Sequence, residues 1–511
     1  MPRGLRASIR ILVTAAITAT TLACLHLTSV LPLAGPRFSS SAGLKFRPLE
    51  EVEPNAPACQ LLAQPDDVVV VMRTGASEIA AKLPVHLNTT IRCYPDTLIF
   101  SDWAEAFQGH HVYDALLNVD HHLKETNYDF AHYMRLQMLG REGLSKEETQ
   151  ATTYGNISGN SKRGIVANFV SESGPVGWRL DKWKFLPMIV RALELRPQAK
   201  WFVFVEPDTY LVWTNMLQWL QTLDPSEASY HGSEVQIGED IFAHGGSAFL
   251  LSRPAMQKVA DLYISQPEEW HDRTAHHWAG DCILGTALAH AGVPFTWAWP
   301  MFQGGNPADM DWTEAKDERK LWCAPALSYH HFEPHEIESM WAFEQHRISA
   351  LAIEPPKKSF FGARDTVLHH SDVFKQRVMP NISQLRDDWT NASPDLVEHS
   401  ARIVKTADAR LEECQAICEA KGTCLQYAVS PIGCSTSDQI KLGRVSQGIR
   451  SNWIMPRVER WVLPARNDDS PSKSKAMLNA LKELDLENLP LRLHDIHCAI
   501  AEFIRKRVID L

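Results

Sequence analysis

The sequence lacks an excess of basic residues. Its 511 residues include 51 lysines and arginines against 61 aspartates and glutamates, which gives a formal net charge of -10. Proteins that bind nucleic acid over a long surface neutralise phosphates with clustered lysine and arginine, so we exclude nucleic acid as a partner. With 45% hydrophobic residues, the chain is long enough to bury one large core and at least one smaller one.

Charged residues are also missing from a long segment near the N-terminus. None occurs from Ile11 to Pro36, and three arginines directly precede the segment (Arg3, Arg6 and Arg10). About 20 apolar residues span a bilayer, and flanking arginines favour its cytoplasmic side. We expect residues 1–10 to be a cytoplasmic tail and residues 11–34 to be the uncleaved signal-anchor of a single-pass type II membrane protein. A signal peptide cleaved near Ala23 is the alternative, but the apolar part of such peptides is only about 7 to 15 residues long.

No CxxC pair occurs among the ten cysteines, although four crowd together near the C-terminus (Cys414, Cys418, Cys424 and Cys434). Their loose spacing favours disulfides over a zinc site, and disulfides imply an oxidising compartment. Four sequons for N-glycosylation point the same way. They begin at Asn88, Asn156, Asn381 and Asn391. We therefore expect a body in the lumen of the Golgi or the endoplasmic reticulum.

Short apolar runs alternate with helical patterns after a stem at residues 35–57, which is rich in Ser, Pro and Glu. Residues 180–195 predict a helix with a kink at Pro187. Three β-branched or aromatic runs predict buried strands, at residues 68–72, 97–100 and 201–205. This alternation is typical of an α/β fold with a mostly parallel sheet that helices cover on both faces.

Two carboxylates, Glu206 and Asp208, follow the third predicted strand directly. In open α/β sheets, ligands bind beyond the carboxyl ends of the strands. Both carboxylates are therefore candidates for a ligand site. A turn aspartate beside a solvated glutamate is the simpler alternative.

Five sequence blocks follow one another in a fixed order. They are GWRLDKWKFLP (177–187), WFVFVEPDTYLVWTNMLQWL (201–220), GGSAFLLSRPAM (245–256), GDCILGTALAHAGV (280–293) and SYHHFEP (328–334). This set resembles the family 31 glycosyltransferases, in particular the Fringe and core 1 β-1,3-galactosyltransferase branch and its fungal relatives. The resemblance implies a Rossmann-like GT-A domain, at residues 58–350, that transfers a sugar from a UDP-sugar to an acceptor hydroxyl with inversion, usually with manganese.

The resemblance places the metal-binding carboxylate at Asp208, which also faces the donor, and the distant metal-binding histidine at His330. Glu206 is a further candidate ligand. A divalent ion held by hard oxygens and an imidazole neutralises charge on the leaving diphosphate. Pro207 departs from the family's acidic triplet and cannot coordinate a metal, so water and diphosphate oxygens would complete the Mn²⁺ shell.

The same resemblance assigns Asp281 the role of the general base that accepts the proton of the acceptor hydroxyl. An N-cap of the following helix is the alternative role. Gly245 and Gly246 are expected to form a turn that lets backbone approach donor and acceptor, although a plain tight turn is equally consistent. Asp102, after the second strand, and Lys184 are candidate donor-binding residues.

The composition changes beyond residue 350. Residues 351–403 are expected to be a linker with two sequons, and residues 404–456 resemble a PAN or Apple module, with an attached structural subdomain as the alternative. Residues 457–511 are expected to be a polar linker and an amphipathic helical tail. The module pattern implies the disulfides Cys414–Cys434 and Cys418–Cys424, and Cys59–Cys93 and Cys282–Cys323 are further expected pairs.

The expected function is that of a UDP-sugar-dependent hexosyltransferase of protein O-glycosylation, specifically a β-1,3-galactosyltransferase acting on N-acetylgalactosamine-like acceptors. A catalytically weak transferase fold that binds glycans or proteins is the alternative. A glycosidase is a third interpretation, but it would need two carboxylates facing one bond and no metal-type histidine. Convergence of Asp208, Asp281 and His330 on one site would favour the transferase.

Overall fold

The computed structural model describes residues 44–53, 55–150, 176–316, 319–353, 366–382, 385–398 and 406–462. The expected cytoplasmic tail, the membrane anchor, the sequon at Asn156 and the tail beyond residue 462 lie outside these ranges. Within them, no helix combines the length and the apolar composition that crossing a bilayer requires.

A mixed sheet forms the centre of the fold. The strands up to residue 300 are β1 Val68–Arg73, β2 Thr97–Ser101, β3 Glu105–Phe107, β4 His110–Asp114, β5 Trp201–Val205, β6 Tyr210–Leu211, β7 Tyr230–Gly232, β8 Glu234–Ile237, β9 Asp240–Ala243, β10 Phe249–Ser252 and β11 Phe295–Trp297. Eight of them form one sheet in the order β11-β7-β10-β5-β1-β2-β4-β3. Strands β5, β1, β2 and β4 run parallel, and β10 runs antiparallel to both β5 and β7. The predicted α/β class is confirmed, with an antiparallel insertion that the apolar runs did not reveal.

Helices flank this sheet and form most of the remaining structure. They are α1 Ile79–Asn88, α2 His121–Thr126, α3 Ala131–Leu139, α4 Lys146–Gln150, α5 Val176–Leu195, α6 Trp213–Leu220, α7 Arg253–Ser265, α8 Pro267–Ala275, α9 Gly280–His290, α10 Pro334–Ile353, α11 His370–Val373, α12 Met379–Ile382, α13 Ala407–Ala420 and α14 Met455–Val462. A π-helical turn, Phe374–Val378, joins α11 to α12. Pro187 lies inside α5, which continues beyond it to Leu195.

Alternating side chains of the strands pack on opposite faces of the sheet. On one face, Val70 of β1 belongs to the same buried cluster as Leu83 of α1. On the other face, Val71 clusters with Ile189 of α5 and Met256 of α7. The central strands are buried along their whole length, which is why they appear in the sequence as uninterrupted apolar runs.

A second, smaller sheet lies near the C-terminus. Its strands are β15 Arg386–Thr390, β16 Asp395–Glu398, β17 Gln426–Val429, β18 Gly433–Ser437 and β19 Arg444–Trp453. They pair antiparallel in the order β15-β19-β17-β18-β16. Both edge strands come from the expected linker at 351–403. β15 is a polar, partly exposed sequence (RDDWT) and β16 has only four residues (DLVE), so neither carries an apolar alternation long enough to have identified it as a strand. Three two-residue strands, β12 Ala315–Lys316, β13 Arg319–Lys320 and β14 Ser328–Tyr329, complete the set of described strands.

Three of the four expected disulfides are present. Cys59–Cys93, Cys414–Cys434 and Cys418–Cys424 have Cα–Cα distances of 5.4, 5.3 and 5.4 Å. The expected pair Cys282–Cys323 is wrong, because Cys282 is a free buried thiol and Cys323 forms a disulfide with another cysteine. Cys282 on α9 packs with Phe242, whereas Leu321 and Trp322 next to Cys323 belong to a different hydrophobic cluster.

The sequon at Asn391 is not available for glycosylation in the folded chain. Asn391 is fully buried. Its side-chain amide donates to the Tyr427 carbonyl (3.1 Å), and its Oδ1 accepts from the Ser393 hydroxyl (2.8 Å). Burial of this amide argues against the expected glycan at Asn391, whereas Asn88 and Asn381 are exposed.

Candidate active site

A turn of residues 206–209 follows β5 directly. The Thr209 N–H donates to the Glu206 carbonyl (3.0 Å). His86 of α1 is buried and its Nε2 donates to the Pro207 carbonyl (2.9 Å). Burial lowers the pKa of His86 to about 4, so the ring is neutral at pH 7. The turn that carries both carboxylates is thus anchored by α1.

His330 lies beside Asp208, although the two residues are 122 positions apart in the chain. A ladder of two residue pairs brings them together. Tyr329 in β14 pairs antiparallel with Tyr210 in β6. His330 Nε2 then lies 3.1 Å from Asp208 Oδ1 and 3.6 Å from Glu206 Oε2. Asp208 and His330 are only 5% and 4% exposed. The three metal-ligand candidates from the sequence therefore form one cluster, in which Asp208 and His330 are buried and Glu206 is 22% exposed.

Two basic side chains compensate the charges of the carboxylates. The Arg73 guanidinium, at the end of β1, forms ion pairs with Glu206 and with Asp181 of α5. Lys82 of α1 places its Nζ 3.2 Å from Asp208 Oδ2. Each carboxylate thus has a cationic partner in addition to His330.

Burial and opposite charge act against each other in this cluster. Burial raises the pKa of Glu206, but Arg73 and His330 outweigh it and hold the pKa at about 2. Burial likewise raises the pKa of Asp208, but His330 and Lys82 hold it well below its usual range. Burial lowers the pKa of His330, but Asp208 and Glu206 raise it to about 9. At pH 7 both carboxylates are therefore ionised, and His330 is protonated when no metal is bound.

The donor set of the cluster fits a divalent ion. Asp208, His330 and His331 each offer a ligand atom, and these atoms all lie within 4.8 Å of one another. The rings of His330 and His331 lie 3.9 Å apart between centroids, and the His331 backbone has φ 60°. Carboxylate oxygens and imidazole nitrogens are ligands of divalent metals, some of which complete their shell with water or phosphate oxygens.

The turn Gly245–Ser247, between β9 and β10, packs directly against this cluster. A Cβ atom on Gly246 would lie 2.1–2.6 Å from atoms of the His330 ring, so the ring keeps its place only beside a glycine. A Cβ atom on Gly245 would lie 3.3 Å from Glu206 Oε1. The Gly245 N–H donates to Asp281 Oδ2 (2.9 Å). This turn therefore contacts both Asp281 and the carboxylate–histidine cluster.

Asp281 lies in the first turn of α9 and is half-buried. Ala279 occupies the N-cap position, so the alternative role of Asp281 as the cap is wrong. Its Oδ1 accepts from the Cys282 N–H (2.9 Å) and its Oδ2 from the Gly245 N–H. Each carboxylate oxygen has a second lone pair, so the side chain retains the capacity to accept a proton.

Asp102 and Lys184 lie beside the loop that follows β1. Asp102 Oδ1 accepts from the Ala76 N–H (2.6 Å), and Lys184 Nζ donates to the Thr74 carbonyl (2.8 Å). Burial raises the pKa of Asp102, but Lys184, the Ala76 N–H and His132 lower it below its usual value. Both side chains are buried and hold the backbone of this loop at the carboxyl edge of the sheet.

Arg73, Lys82 and His331 belong to the cluster but were not identified from the sequence. An arginine directly after the VVVVM run could have been flagged, because the end of a buried strand is a ligand position. Lys82 carries no such local signal, since its partner Asp208 lies 126 positions away. His331 was obscured by the number of adjacent histidine pairs in the chain.

Two clefts of about 410 and 440 Å³ lie on other parts of the surface. The first is lined by Asn381 and Trp389, among others, and the second by residues of α5 and α7. Neither lining includes Asp208 or His330. We place the candidate active site by its charges and by its position at the carboxyl edge of the sheet.

No family model matches the chain. Among solved structures, the chain is similar to a crystal structure of a glycosyltransferase involved in the glycosylation of the major capsid of PBCV-1. The two share 12% sequence identity with a TM-score of 0.21, and the match covers 54% of this chain and 98% of the other. A similarity at this level supports no inference about activity, so the functional argument depends on the residues of the site.

Proposed function

We propose that the protein is an inverting glycosyltransferase of the GT-A type that uses a UDP-sugar and a divalent metal. The observation that carries the proposal is the contact of His330 Nε2 with Asp208 Oδ1 at 3.1 Å. It joins two residues that lie far apart in the chain and that the five sequence blocks select independently of the structure. A glycosidase would instead need two carboxylates flanking one bond, and here both carboxylates of the turn face a histidine.

In this proposal Asp208 and His330 hold the metal, with His331 and Glu206 close enough to join them. When bound, a divalent ion neutralises the charge that develops on the diphosphate leaving group. His330 must lose its proton to act as a ligand. Arg73 keeps Glu206 ionised, so the Glu206 carboxylate stays available close to His330.

Asp281 is the proposed general base. The acceptor hydroxyl oxygen attacks the anomeric carbon of the donor from the face opposite UDP, and the bond from that carbon to the diphosphate oxygen breaks. The electron pair leaves with UDP, and the hydroxyl proton passes to the Asp281 carboxylate. The two backbone N–H groups that contact Asp281 fix the orientation of its carboxylate.

The donor and acceptor follow from the sequence resemblance. We assign UDP-galactose as the donor and O-linked N-acetylgalactosamine on glycoproteins as the acceptor, which makes the activity a β-1,3-galactosyltransferase. The expected signal-anchor, the sequons and the disulfides support a location in the lumen of the Golgi or endoplasmic reticulum.

The test is release of UDP by a chain that begins at residue 38, over a panel of UDP-sugars and acceptors with and without Mn²⁺. We expect one donor to be turned over in the presence of Mn²⁺, and Asp208→Asn to reduce the rate by at least about 10- to 100-fold, the loss that mutation of a residue supporting a metal ligand already causes. Asp272→Asn is the matched control, because Asp272 is 75% exposed and its ion partner is His276 on the same helix. A folded chain that turns over no donor would contradict the proposal and favour the glycan- or protein-binding alternative.

A further inference from the structure

Lys82 occupies a position in the site that the proposed roles above leave unassigned. It lies in α1, and its Nζ is 3.2 Å from Asp208 Oδ2 and 3.0 Å from Glu78 Oε2. The side chain is only 14% exposed. Asp208 is thus held between two cations, with His330 on Oδ1 and Lys82 on Oδ2.

A divalent metal on Asp208 changes this balance of charge. His330 can give up its proton and become a ligand, whereas an ammonium group next to the metal is repelled by it. Lys82 must therefore move away from Asp208 Oδ2, or its charge weakens metal binding. Its flexible four-carbon stem permits such a movement, and Glu78, one turn earlier on the same helix, offers a carboxylate to which the ammonium is already bound.

The other cations of the site do not have this freedom. Arg73 is fixed between Glu206 and Asp181 and lies over the Phe185 ring at 4.2 Å from its centroid. Lys184 is 1% exposed and donates to the Thr74 carbonyl. Unlike Arg73 and Lys184, Lys82 contacts the metal-binding carboxylate Asp208 itself.

We propose that Lys82 has two positions: it neutralises Asp208 when the metal is absent, and it contacts the diphosphate of the donor when metal and nucleotide are bound. This inference rests on the proposed function, since it names a further residue of that same site. Lys82 then competes with the metal for Asp208 and contributes to binding of the leaving group. The two effects have opposite signs, which a residue that only supports the fold would not produce.

The test measures binding without turnover, using the chain from residue 38. Mn²⁺ alone is titrated by electron paramagnetic resonance, and UDP is titrated calorimetrically at saturating Mn²⁺. We expect Lys82→Met to bind Mn²⁺ about tenfold more tightly and UDP about tenfold more weakly, the size of one charge-assisted hydrogen bond. Lys82→Arg should restore UDP binding. Lys200→Met is the matched control. Lys200 forms an ion pair with Asp67 (2.8 Å) and is not part of the site.

Each outcome decides the proposal. If Lys82→Met weakens the binding of both Mn²⁺ and UDP, or leaves UDP affinity unchanged, Lys82 does not exchange between Asp208 and the diphosphate. The proposal is then overturned. Lys82→Gln replaces the Met variant if that variant unfolds. The failure of the proposed function is distinguishable, because a wild-type chain that binds Mn²⁺ and UDP but turns over no donor leaves the binding effects of Lys82 measurable.

Discussion

At the residue scale, the site is a row of alternating charges. Lys82, Asp208, His330, Glu206 and Arg73 follow one another, each in contact with the next. Taking such charges out of water is costly, and only close opposite charges offset that cost. Removal of any one member leaves its neighbour with one charged partner fewer, so substitutions here affect both stability and ligand binding.

Substitution of Gly246 tests whether the His330 ring can move without loss of function. In Gly246→Ala the new Cβ would meet the His330 ring at 2.1–2.6 Å, so the ring must move away from Asp208. A misplacement of about 1 Å in an active site costs about 100-fold in rate, and we expect a loss of this size in turnover together with weaker Mn²⁺ binding. Titration of Mn²⁺ and steady-state kinetics measure both.

The matched control for this substitution is Gly422→Ala. An added Cβ at Gly422 meets no atom within 4 Å, so Mn²⁺ affinity and rate should stay at the wild-type level. Unchanged Mn²⁺ affinity in Gly246→Ala would show that His330 is not a ligand or that its ring has room to move.

At the scale of elements, a very short ladder helps to assemble the candidate site. The pairing of β6 with β14 involves two residues from each strand, and together with the bond from the Phe332 N–H to the Asp208 carbonyl (3.0 Å) it holds His330 beside Asp208. Sequence patterns identified β1, β2 and β5 because a run of four or five β-branched or apolar residues is a signal of a buried strand. Two-residue strands carry no periodicity, so the sequence indicated His330 only through its resemblance to a family block.

The turn between β15 and β16 depends on one buried amide. Asn391 bonds to the Tyr427 carbonyl on β17 and to the Ser393 hydroxyl, so its loss leaves buried polar groups unpaired. We expect Asn391→Ala to lower the free energy of unfolding by about 1–3 kcal/mol, measured by urea denaturation. In secreted wild-type protein, glycopeptide mass spectrometry should find Asn391 unmodified, and a glycan on Asn391 would contradict the buried position.

At the scale of the whole molecule, the C-terminal sheet shares a core with the segments that carry the site. Ile440 and Trp453 belong to the same hydrophobic cluster as Tyr210, two residues after Asp208, and Tyr329, directly before His330. The backbone also connects them, because the Gly443 N–H donates to the Ala308 carbonyl (2.7 Å). The C-terminal sheet therefore packs in the same hydrophobic core as the segments that carry Asp208 and His330.

A shared core predicts one cooperative unfolding transition for the described body. Trp453 is 3% exposed, and truncation of a buried tryptophan costs about 3–5 kcal/mol. We expect Trp453→Ala to lower the midpoint of a single calorimetric transition. Val445→Ala is the control on the same strand, because Val445 is 71% exposed. Two separate transitions, of which Trp453→Ala shifts one, would show that the two sheets unfold independently.

The sequence by itself determined the features that depend on neighbouring residues. These are the buried strands, the helix through Pro187 and the carboxylates at the end of β5. The three correct disulfide pairs were expectations of another kind, since two followed from the resemblance to a PAN or Apple module and the cysteines alone leave several connectivities open. Only the tertiary structure decided which distant charges meet. Arg73 and Lys82 reach Glu206 and Asp208 across 133 and 126 positions.

The dependence on distant parts of the fold also explains where expectations from the sequence and the structure differ. Cys282 was expected to pair with Cys323, and Asn391 matches a sequon, yet packing buries one as a free thiol and the other as a hydrogen-bonded amide. A local pattern records what a side chain can do, and the tertiary structure sets its distance to every possible partner. Because electrostatic and covalent interactions depend on that distance, the chemistry of the site was decided by the fold.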